Sequence, residues 1–290
     1  MMEKENERNG VACVADISVL PEGCISDIVS LTTPKDACTA CAVSSIFGAA
    51  AESNAVWERF LPSDYQAIIA RSSSTSLASL NFSSKKHLYL SLSDNPILID
   101  DNKNCFFLDK LSGKKCYILS ARDLFIIWGD THQYWRWISQ SESRFPEVAE
   151  LNYVWWFDIR GKMSTTMLSP KTNYAAYLVF KLRRRASGFN PFPKASVGTT
   201  GGVEDYKQTV CLGLPAREPR QQHQIVPSPP QQHNSHPKQR KDGWLEIKLG
   251  EFFNEGGEDD QLQIRLMEVE AGTVKSGFIV EGIEIRPTKG

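Results

Sequence analysis

Residues 20–62 read LPEGCISDIVSLTTPKDACTACAVSSIFGAAAESNAVWERFLP, and this stretch packs three short helix signals into about forty residues. A helical unit of this size seldom folds well alone, because it can bury little surface. Its apolar residues outnumber those that it can bury internally. The surplus is best explained by a surface that docks on the helices of a partner. The stretch therefore predicts an adaptor rather than an active site.

The three helix signals consist of proline-bearing starts followed by apolar faces. Pro21 lies in the first turn of the first helix, and residues 24–29 provide its apolar face. Thr33 can cap a second helix that starts with a proline and continues at helical spacing over 34–47. A third apolar cluster falls in residues 52–60. We therefore predict three short helices.

In order and spacing these residues resemble an F-box. The matching motifs are Leu20-Pro21-Glu22, Ile25 and Ile28, Pro34-Lys35-Asp36, Val43-Ser44, Val56-Trp57 and Phe60-Leu61-Pro62. F-boxes bind the Skp-type adaptor of cullin-RING ubiquitin ligases. The resemblance implies that the adaptor contacts are Leu20, Pro21, Ile25, Ile28 and Pro34. Each of these residues, taken alone, would equally fit the core of a small helical bundle.

Length and composition leave room for a second domain after the helices. The chain has 290 residues, of which 41% are hydrophobic, whereas a single core commonly takes about 100–200 residues. A net charge of −1 gives no general attraction to nucleic acid or anionic membranes, and no apolar run could span a bilayer. We expect neither of these partners. The polar N-terminus and seven scattered cysteines predict the reducing cytoplasm or nucleus.

A polar, serine-rich break at residues 71–84 separates the helical stretch from a different pattern. A short helix is predicted at 85–92, and the apolar runs 105–108 and 116–119 flank a predicted hairpin turn. Seven further strands are predicted at 125–128, 154–159, 175–182, 208–212, 244–249, 262–267 and 278–285. The fold class is therefore α + all-β, a small three-helix unit followed by an antiparallel, jelly-roll-like β-sandwich.

Residues 126–137 read IIWGDTHQYWRW and place four large aromatic side chains within ten residues. Sugars present patches of C–H bonds beside hydroxyls, so a carbohydrate site needs flat aromatic faces and nearby hydrogen-bonding groups. This segment offers both. Alternatively, the tryptophans fill the sandwich core, as we expect for Trp137, Trp155 and Trp156.

Further motifs follow one another through the rest of the chain. They are Ala121-Arg122-Asp123-Leu124, Ile127-Trp128-Gly129, Tyr134-Trp135-Arg136-Trp137, Val148-Ala149-Glu150-Leu151, Met167-Leu168-Ser169-Pro170, Tyr174-Ala175-Ala176-Tyr177, Val179-Phe180-Lys181, Gly188-Phe189, Gly243-Trp244, Gly282-Ile283 and Arg286-Pro287. This set resembles phloem protein 2, the plant lectin family that includes tobacco Nictaba. With the helices and the serine-rich joint, the chain is similar to the F-box proteins of the phloem protein 2 B group.

The resemblance implies binding to N-acetylglucosamine oligomers and to the core of N-glycans. Two tryptophans proposed as important in the family fall on Trp128 and Trp135. The polar neighbours that could orient a sugar are Asp130, His132, Gln133 and Tyr134. Because members of the family differ in sugar preference, the resemblance implies the fold more firmly than the ligand.

The two resemblances divide the chain into an F-box at 17–63, a linker at 64–85 and a lectin domain at 86–290. Residues 214–242 depart from the lectin pattern with a tract rich in proline, glutamine and histidine, which predicts a disordered surface insert. Cys38 and Cys41 form a CxxC that lacks a second pair, so we interpret them as small apolar residues of the second helix. We expect no metal and no cofactor.

Five carboxylates could in principle supply the pair that a glycosidase needs: Glu147, Glu150, Asp158, Glu204 and Asp205. Nothing in the sequence arranges them across a sugar ring, and there is no nucleophile elbow or phosphate-binding glycine loop. We therefore expect a non-catalytic protein.

The sequence favours a substrate-recognition subunit of a Skp-cullin-F-box ubiquitin ligase whose lectin domain selects glycoprotein clients. Two alternatives remain. One alternative is a stress-related lectin of the cytoplasm or nucleus without ligase output, and the other is a receptor that recognises a protein surface and keeps a vestigial sugar site.

Overall fold

The computed structural model describes residues 17–72, 82–190, 192–200, 206–213, 236–257 and 260–288. Short helices form the N-terminal part, and two antiparallel sheets form most of the remainder. The helices are α1 (Glu22–Ser30), α2 (Pro34–Ala40), α3 (Ser45–Glu52), α4 (Asn54–Phe60), α5 (Tyr65–Ala70) and α6 (Lys85–Asp94). Among the described residues, no helix is both long enough and apolar enough to cross a bilayer.

Side-chain caps explain where several of these helices begin. The Thr33 hydroxyl accepts a hydrogen bond from the Asp36 amide at 3.1 Å, and the Ser44 hydroxyl accepts one from the Phe47 amide at 3.4 Å. Ser44 is extended, with φ −161°, so the chain cannot continue one helix through it. The predicted second helix over 34–47 is therefore wrong, because α2 already ends at Ala40 and Ser44 caps the start of a separate helix, α3. The described part of the stretch 20–62 thus contains four helices, α1 to α4, rather than the predicted three.

The region predicted as a linker contains helix α5, whose Tyr65 and Ile68 are buried. Its serine-rich part at 73–81 lies outside the described residues. The helix predicted at 85–92 is confirmed as α6.

The described residues form a nine-stranded sheet and a five-stranded sheet. The larger follows the order β1-β2-β3-β14-β8-β12-β11, with β6 paired to β14 and β5 paired to β6; the smaller follows the order β10-β9-β13-β7-β4. The strands are β1 (Ile97–Ile99), β2 (Asn104–Leu108), β3 (Lys115–Ser120), β4 (Phe125–Ile126), β5 (Trp135–Ile138), β6 (Val148–Leu151), β7 (Phe157–Ser164), β8 (Thr172–Ser187), β9 (Lys194–Thr199), β10 (Tyr206–Thr209), β11 (Lys238–Gln239), β12 (Leu245–Asn254), β13 (Gln261–Glu268) and β14 (Ser276–Pro287).

Both sheets contribute to one hydrophobic core. Tyr117 and Leu119 on β3 belong to the same buried cluster as Leu262 and Leu266 on β13. The side chains of β13 alternate between buried and more exposed, which is the pattern of a strand with one face against a core. The prediction of an antiparallel, two-sheet domain is confirmed, as is the hairpin of β2 and β3.

The C-terminal end of the predicted insert is ordered by pairing and charge. β11 pairs with β12, and Arg240 donates hydrogen bonds to Glu246 at 2.9 Å and to Glu284 at 2.8 Å. Residues 238–242 of the predicted insert therefore have defined contacts, and Arg240 compensates the charge of a buried carboxylate on β14. Residues 214–235 lie outside the described residues, together with His223 and His233.

Candidate functional site

A continuous group of aromatic rings lies where the chain leaves β4 and β6. We call it the aromatic surface and define it by Trp128, Tyr134, Tyr153, Trp155 and Trp156. The rings of Trp128 and Trp156 are stacked, with centroids 5.9 Å apart and an interplanar angle of 18°. Trp128 also contacts Tyr134 at 5.2 Å, Tyr134 contacts Tyr153 at 5.5 Å, and Tyr153 contacts Trp155 at 5.6 Å. The surface is therefore one contiguous set of rings.

Trp128 is presented by a strained turn between β4 and β5. Its φ is 55°, a conformation that bulky residues rarely adopt, and its carbonyl accepts a hydrogen bond from the Thr131 amide at 2.9 Å. The side chain remains 38% exposed. Such strain persists only where the surroundings enforce it, and it occurs most often at functional sites.

The two tryptophans assigned to sugar binding by resemblance occupy different environments. Trp135 is 0% exposed, and its indole N–H donates to the Ile127 carbonyl at 3.1 Å beneath the turn that carries Trp128. It therefore offers no face to a ligand in this structure, and it supports the turn from the core side. Strand alternation explains this placement, because Trp135 points inward from β5.

The expectation that Trp155 and Trp156 fill the core is wrong, since they are 44% and 51% exposed. They lie in the segment between β6 and β7, which is irregular and therefore does not follow strand alternation. Three aromatic residues within positions 153–156 were the sequence signal that could have identified them.

A cleft of about 430 Å³ opens beside the aromatic surface, and we call it the tryptophan cleft. The Arg122 guanidinium lies 3.6 Å from the centre of the Trp137 ring and pairs with Glu147 at 2.7 Å. The indole N–H of Trp137 donates to the Gly129 carbonyl at 3.1 Å. The lining residues are Arg122, Leu124, Phe125, Ile126, Trp128, Gly129, Asp130, Thr131 and Trp137.

The four polar candidates are only partly brought together. Asp130 lines the tryptophan cleft, and Tyr134 belongs to the aromatic surface. Gln133 donates its side-chain amide to the Tyr153 hydroxyl, and the His132 carbonyl accepts from the Asn152 side chain at 3.1 Å. His132 and Gln133 therefore brace the surface at its edge, and they do not line the cleft.

The candidate carboxylates are engaged in ion pairs with arginines. Glu150 pairs with Arg136 and Arg183, Asp158 with Arg160, and Glu147 with Arg122. Glu204 and Asp205 lie outside the described residues. Within the described part of the chain, no three histidine, cysteine, aspartate or glutamate side chains are grouped so as to hold a metal ion.

A second candidate surface lies on the N-terminal helices. Leu20, Pro21 and Ile28 are exposed, whereas Ile25 and Pro34 are buried. We therefore place Ile25 and Pro34 in the helical core rather than in direct contact with a partner. Further exposed apolar side chains that the sequence did not single out are Ile17, Val19, Leu31 and Ile46.

Comparisons with known proteins agree with this division. The family model described as phloem protein 2 matches residues 114–287. F-box protein PP2-B10 of Arabidopsis thaliana is 46% identical over 93% of this chain and 93% of its own length. F-box protein SKIP3 of the same plant is 38% identical over 100% of this chain and 95% of its own length. A carbohydrate-binding module of family 35 from Clostridium thermocellum covers 60% of this chain and 98% of its own at 11% identity, with a TM-score of only 0.30.

The matched region includes the tryptophan cleft and most of the sandwich, and the relatives align with the N-terminal helices as well. The chain therefore belongs to the phloem protein 2 family and, within it, to the plant F-box proteins of the PP2-B group.

Proposed function

We propose that this protein is a non-catalytic substrate receptor of a Skp-cullin-F-box ubiquitin ligase, and that its sandwich selects glycoprotein clients in the cytoplasm or nucleus. The observation that carries the proposal is the stacked, exposed pair of Trp128 and Trp156 at the rim of a polar cleft. Aromatic faces beside hydrogen-bonding groups match the alternating C–H and hydroxyl surfaces of a sugar.

The N-terminal helices supply the other half of the proposal. Leu20, Val19 and Leu31 leave apolar surface exposed on a helical unit whose own core is already filled by Ile25 and Trp57. Exposed apolar surface of this kind marks a site for another protein. A Skp-type adaptor docked there would bring the client's lysines close to a ubiquitin-charged enzyme, which accelerates transfer by proximity alone.

Calorimetric titration of the full chain with N-acetylglucosamine oligomers and an N-glycan core tests the sugar site. We expect saturable binding that Trp128→Ala abolishes. Phe253→Ala is the matched control, because it removes an exposed aromatic ring on β12 outside the cleft, and binding should survive it. Trp135→Ala is unsuitable, because truncating a buried tryptophan costs about 3–5 kcal/mol of stability.

Co-purification with a Skp-type adaptor tests the helical surface. Leu20→Asp and Ile28→Asp should each weaken the association strongly, since a charge would have to be buried in an apolar contact. Val274→Asp is the control, because it places the same charge at an exposed apolar residue between β13 and β14. Adaptor binding without sugar binding would favour a receptor of protein surfaces, and sugar binding without adaptor binding would favour a lectin without ligase output.

A further inference from the structure

A second cleft, of about 290 Å³, lies next to the tryptophan cleft and shares Arg122 with it. Its other lining residues include Asp101, Lys103, Ser120, Phe145 and Glu147. These residues come from the turn between β1 and β2, the end of β3 and the segment before β6. Apart from Arg122 and its ion-pair partner Glu147, none of these residues contacts the tryptophan cleft.

Arg122 lines both clefts, and its partner Glu147 lines the second cleft. Trp137 lies beneath the guanidinium on the side of the tryptophan cleft, and Glu147 accepts from Nε at 3.0 Å and from a terminal nitrogen at 2.7 Å. Both side chains of the ion pair remain about two-fifths exposed, at 41% and 42%. The stacking and the paired hydrogen bonds fix the guanidinium plane, so a ligand in either cleft would meet the same oriented group.

The second cleft combines apolar and hydroxyl-binding groups. Phe145 provides an apolar wall, and Ser120 is almost fully buried with a hydroxyl that has no hydrogen-bond partner among the described residues. Buried hydroxyls nearly always have a partner, so such a group at the floor of a cleft is a place where a ligand or water completes the bond. The tryptophan cleft offers a similar mixture of ring faces and polar atoms.

The charges that line the second cleft cancel. Asp101 and Glu147 oppose Lys103 and Arg122, so the cleft carries no net formal charge. Phosphate or an acidic sugar would need an excess of cations. The lining therefore fits an uncharged ligand with many hydroxyl groups.

The rim that carries Asp101 is held in place. Three successive residues, Asp100, Asp101 and Asn102, have φ of 54°, 54° and 64°, which aspartate and asparagine tolerate better than other side chains. Asp100 accepts two hydrogen bonds from Arg71, at 2.8 and 2.6 Å. The hydrogen bonds from Arg71 lower the pKa of Asp100. This turn is anchored to the helical unit, so the exposed Asp101 carboxylate is presented by a fixed backbone.

From these contacts we infer a second sugar subsite, the cleft formed by Asp101, Ser120, Phe145 and Glu147, which binds the next unit of a neutral glycan chain seated in the tryptophan cleft. The inference rests on the proposed function. Taken together, the two clefts fall within the range of about 300–1,000 Å³ typical of ligand sites. The ligand would cross over Arg122 from one cleft to the other.

Calorimetric titration of the full chain with N-acetylglucosamine monomer, dimer, trimer and tetramer tests the subsite. We expect affinity to rise with chain length, and Asp101→Gly to weaken only the longer oligomers by about three- to tenfold, the effect of one lost hydrogen bond. Glycine suits the positive φ, and Asp101→Asn should give a smaller loss because it keeps an acceptor. Lys171→Gly is the matched control, because it removes an exposed charged side chain at φ 49° that lines neither cleft.

The outcomes separate the two proposals. If the wild-type protein binds oligomers but Asp101→Gly leaves every affinity unchanged, the subsite is overturned and the proposed function stands. An equal loss at all chain lengths in a folded variant would also overturn it, because a separate subsite affects only ligands that reach it. Failure of the wild-type protein to bind any oligomer would overturn the proposed function and the subsite together.

Discussion

At the scale of single residues, Lys275 connects the sandwich core to the aromatic surface. Its side chain is fully buried, pairs with Glu268 and donates a hydrogen bond to the Trp155 carbonyl at 2.6 Å. Burial acts to raise the pKa of Glu268, but Lys275 and two backbone N–H groups outweigh it, so this pKa is lowered. An ion pair this deep has little access to water, and each partner depends on the other.

We predict that Lys275→Met lowers the free energy of unfolding by about 3–5 kcal/mol, because Glu268 would remain as a buried, unpaired charge. Lys171→Met removes a lysine from an exposed pair with Glu255 and should cost less than about 1 kcal/mol. Adding Glu268→Gln to Lys275→Met should recover much of the loss, since glutamine keeps an acceptor for the amides of Glu270 and Ala271. Urea denaturation measures all three, and equal costs for the two lysine variants would contradict the prediction.

At the scale of elements, the segment at 139–147 covers the outer face of β3 and β14, and we call it the covering loop. Phe145 packs on Cys105 and Ile118, and the Ser143 hydroxyl and Arg144 amide both donate to one carboxylate oxygen of Glu281, at 3.1 and 3.0 Å. The loop ends at Glu147, which orients Arg122 between the two clefts. The covering loop thus links a buried carboxylate to the site.

We predict that Glu281→Gln stabilises the protein at pH 7 by on the order of 1 kcal/mol. Burial raises the pKa of Glu281, so the folded state holds its proton more tightly than the unfolded state does. The stability of the wild-type protein should therefore fall as the pH rises from the unfolded value, about 4.3, to the higher folded value. Glutamine keeps the acceptor without the charge. The gain in stability from Glu281→Gln should therefore vanish near pH 4, where the wild-type carboxyl group also holds its proton. Urea denaturation at pH 7 and near pH 4 checks this prediction. Glu147→Gln is the control, because that carboxylate is exposed. An equal effect of Glu281→Gln at both pH values would refute the prediction.

Most strands could be predicted from the sequence, whereas several helix and strand boundaries could not. The alternation of apolar and polar residues was sufficient to predict strands such as β13, because every second side chain of that strand faces the core. The break at Ser44 and the pairing of β11 were not predictable in this way, since each depends on one polar contact, a cap in the first case and a distant carboxylate on β14 in the second. At the site, residue type identified the aromatic segment. The exposure of Trp128 depends on a turn with positive φ, and no periodic pattern in the sequence indicates such a turn.

At the scale of the whole molecule, the N-terminal helices are joined to the β2–β3 hairpin through α6. Trp57 on α4 contacts Tyr89 on α6 with ring centroids 5.1 Å apart, and the Tyr89 hydroxyl donates to the Asp109 carbonyl in the hairpin turn at 3.0 Å. Asp64 pairs with Lys115 at 3.1 Å. Because buried rings and polar contacts join the two parts, an adaptor bound to the helices would hold the tryptophan cleft in a defined orientation rather than on a free tether. For a ligase receptor this geometry would decide which client lysines are within reach.

Gly113 gives a direct test of that packing. Its φ is 72°, and a Cβ there would lie 2.9 Å from the Phe60 carbonyl oxygen at the end of α4. We predict that Gly113→Ala costs about 2 kcal/mol or more, from a left-handed backbone and a steric clash together. Gly243→Ala is the matched control, because φ is 83° and nothing lies within 4 Å of its Cβ, so only the backbone cost of about 1 kcal/mol should appear. The difference between the two unfolding free energies, measured in urea, reports the contact between helices and hairpin. Equal costs would mean that the helical unit does not rest on the sandwich in solution, and an adaptor bound to the helices would then not fix the orientation of the clefts.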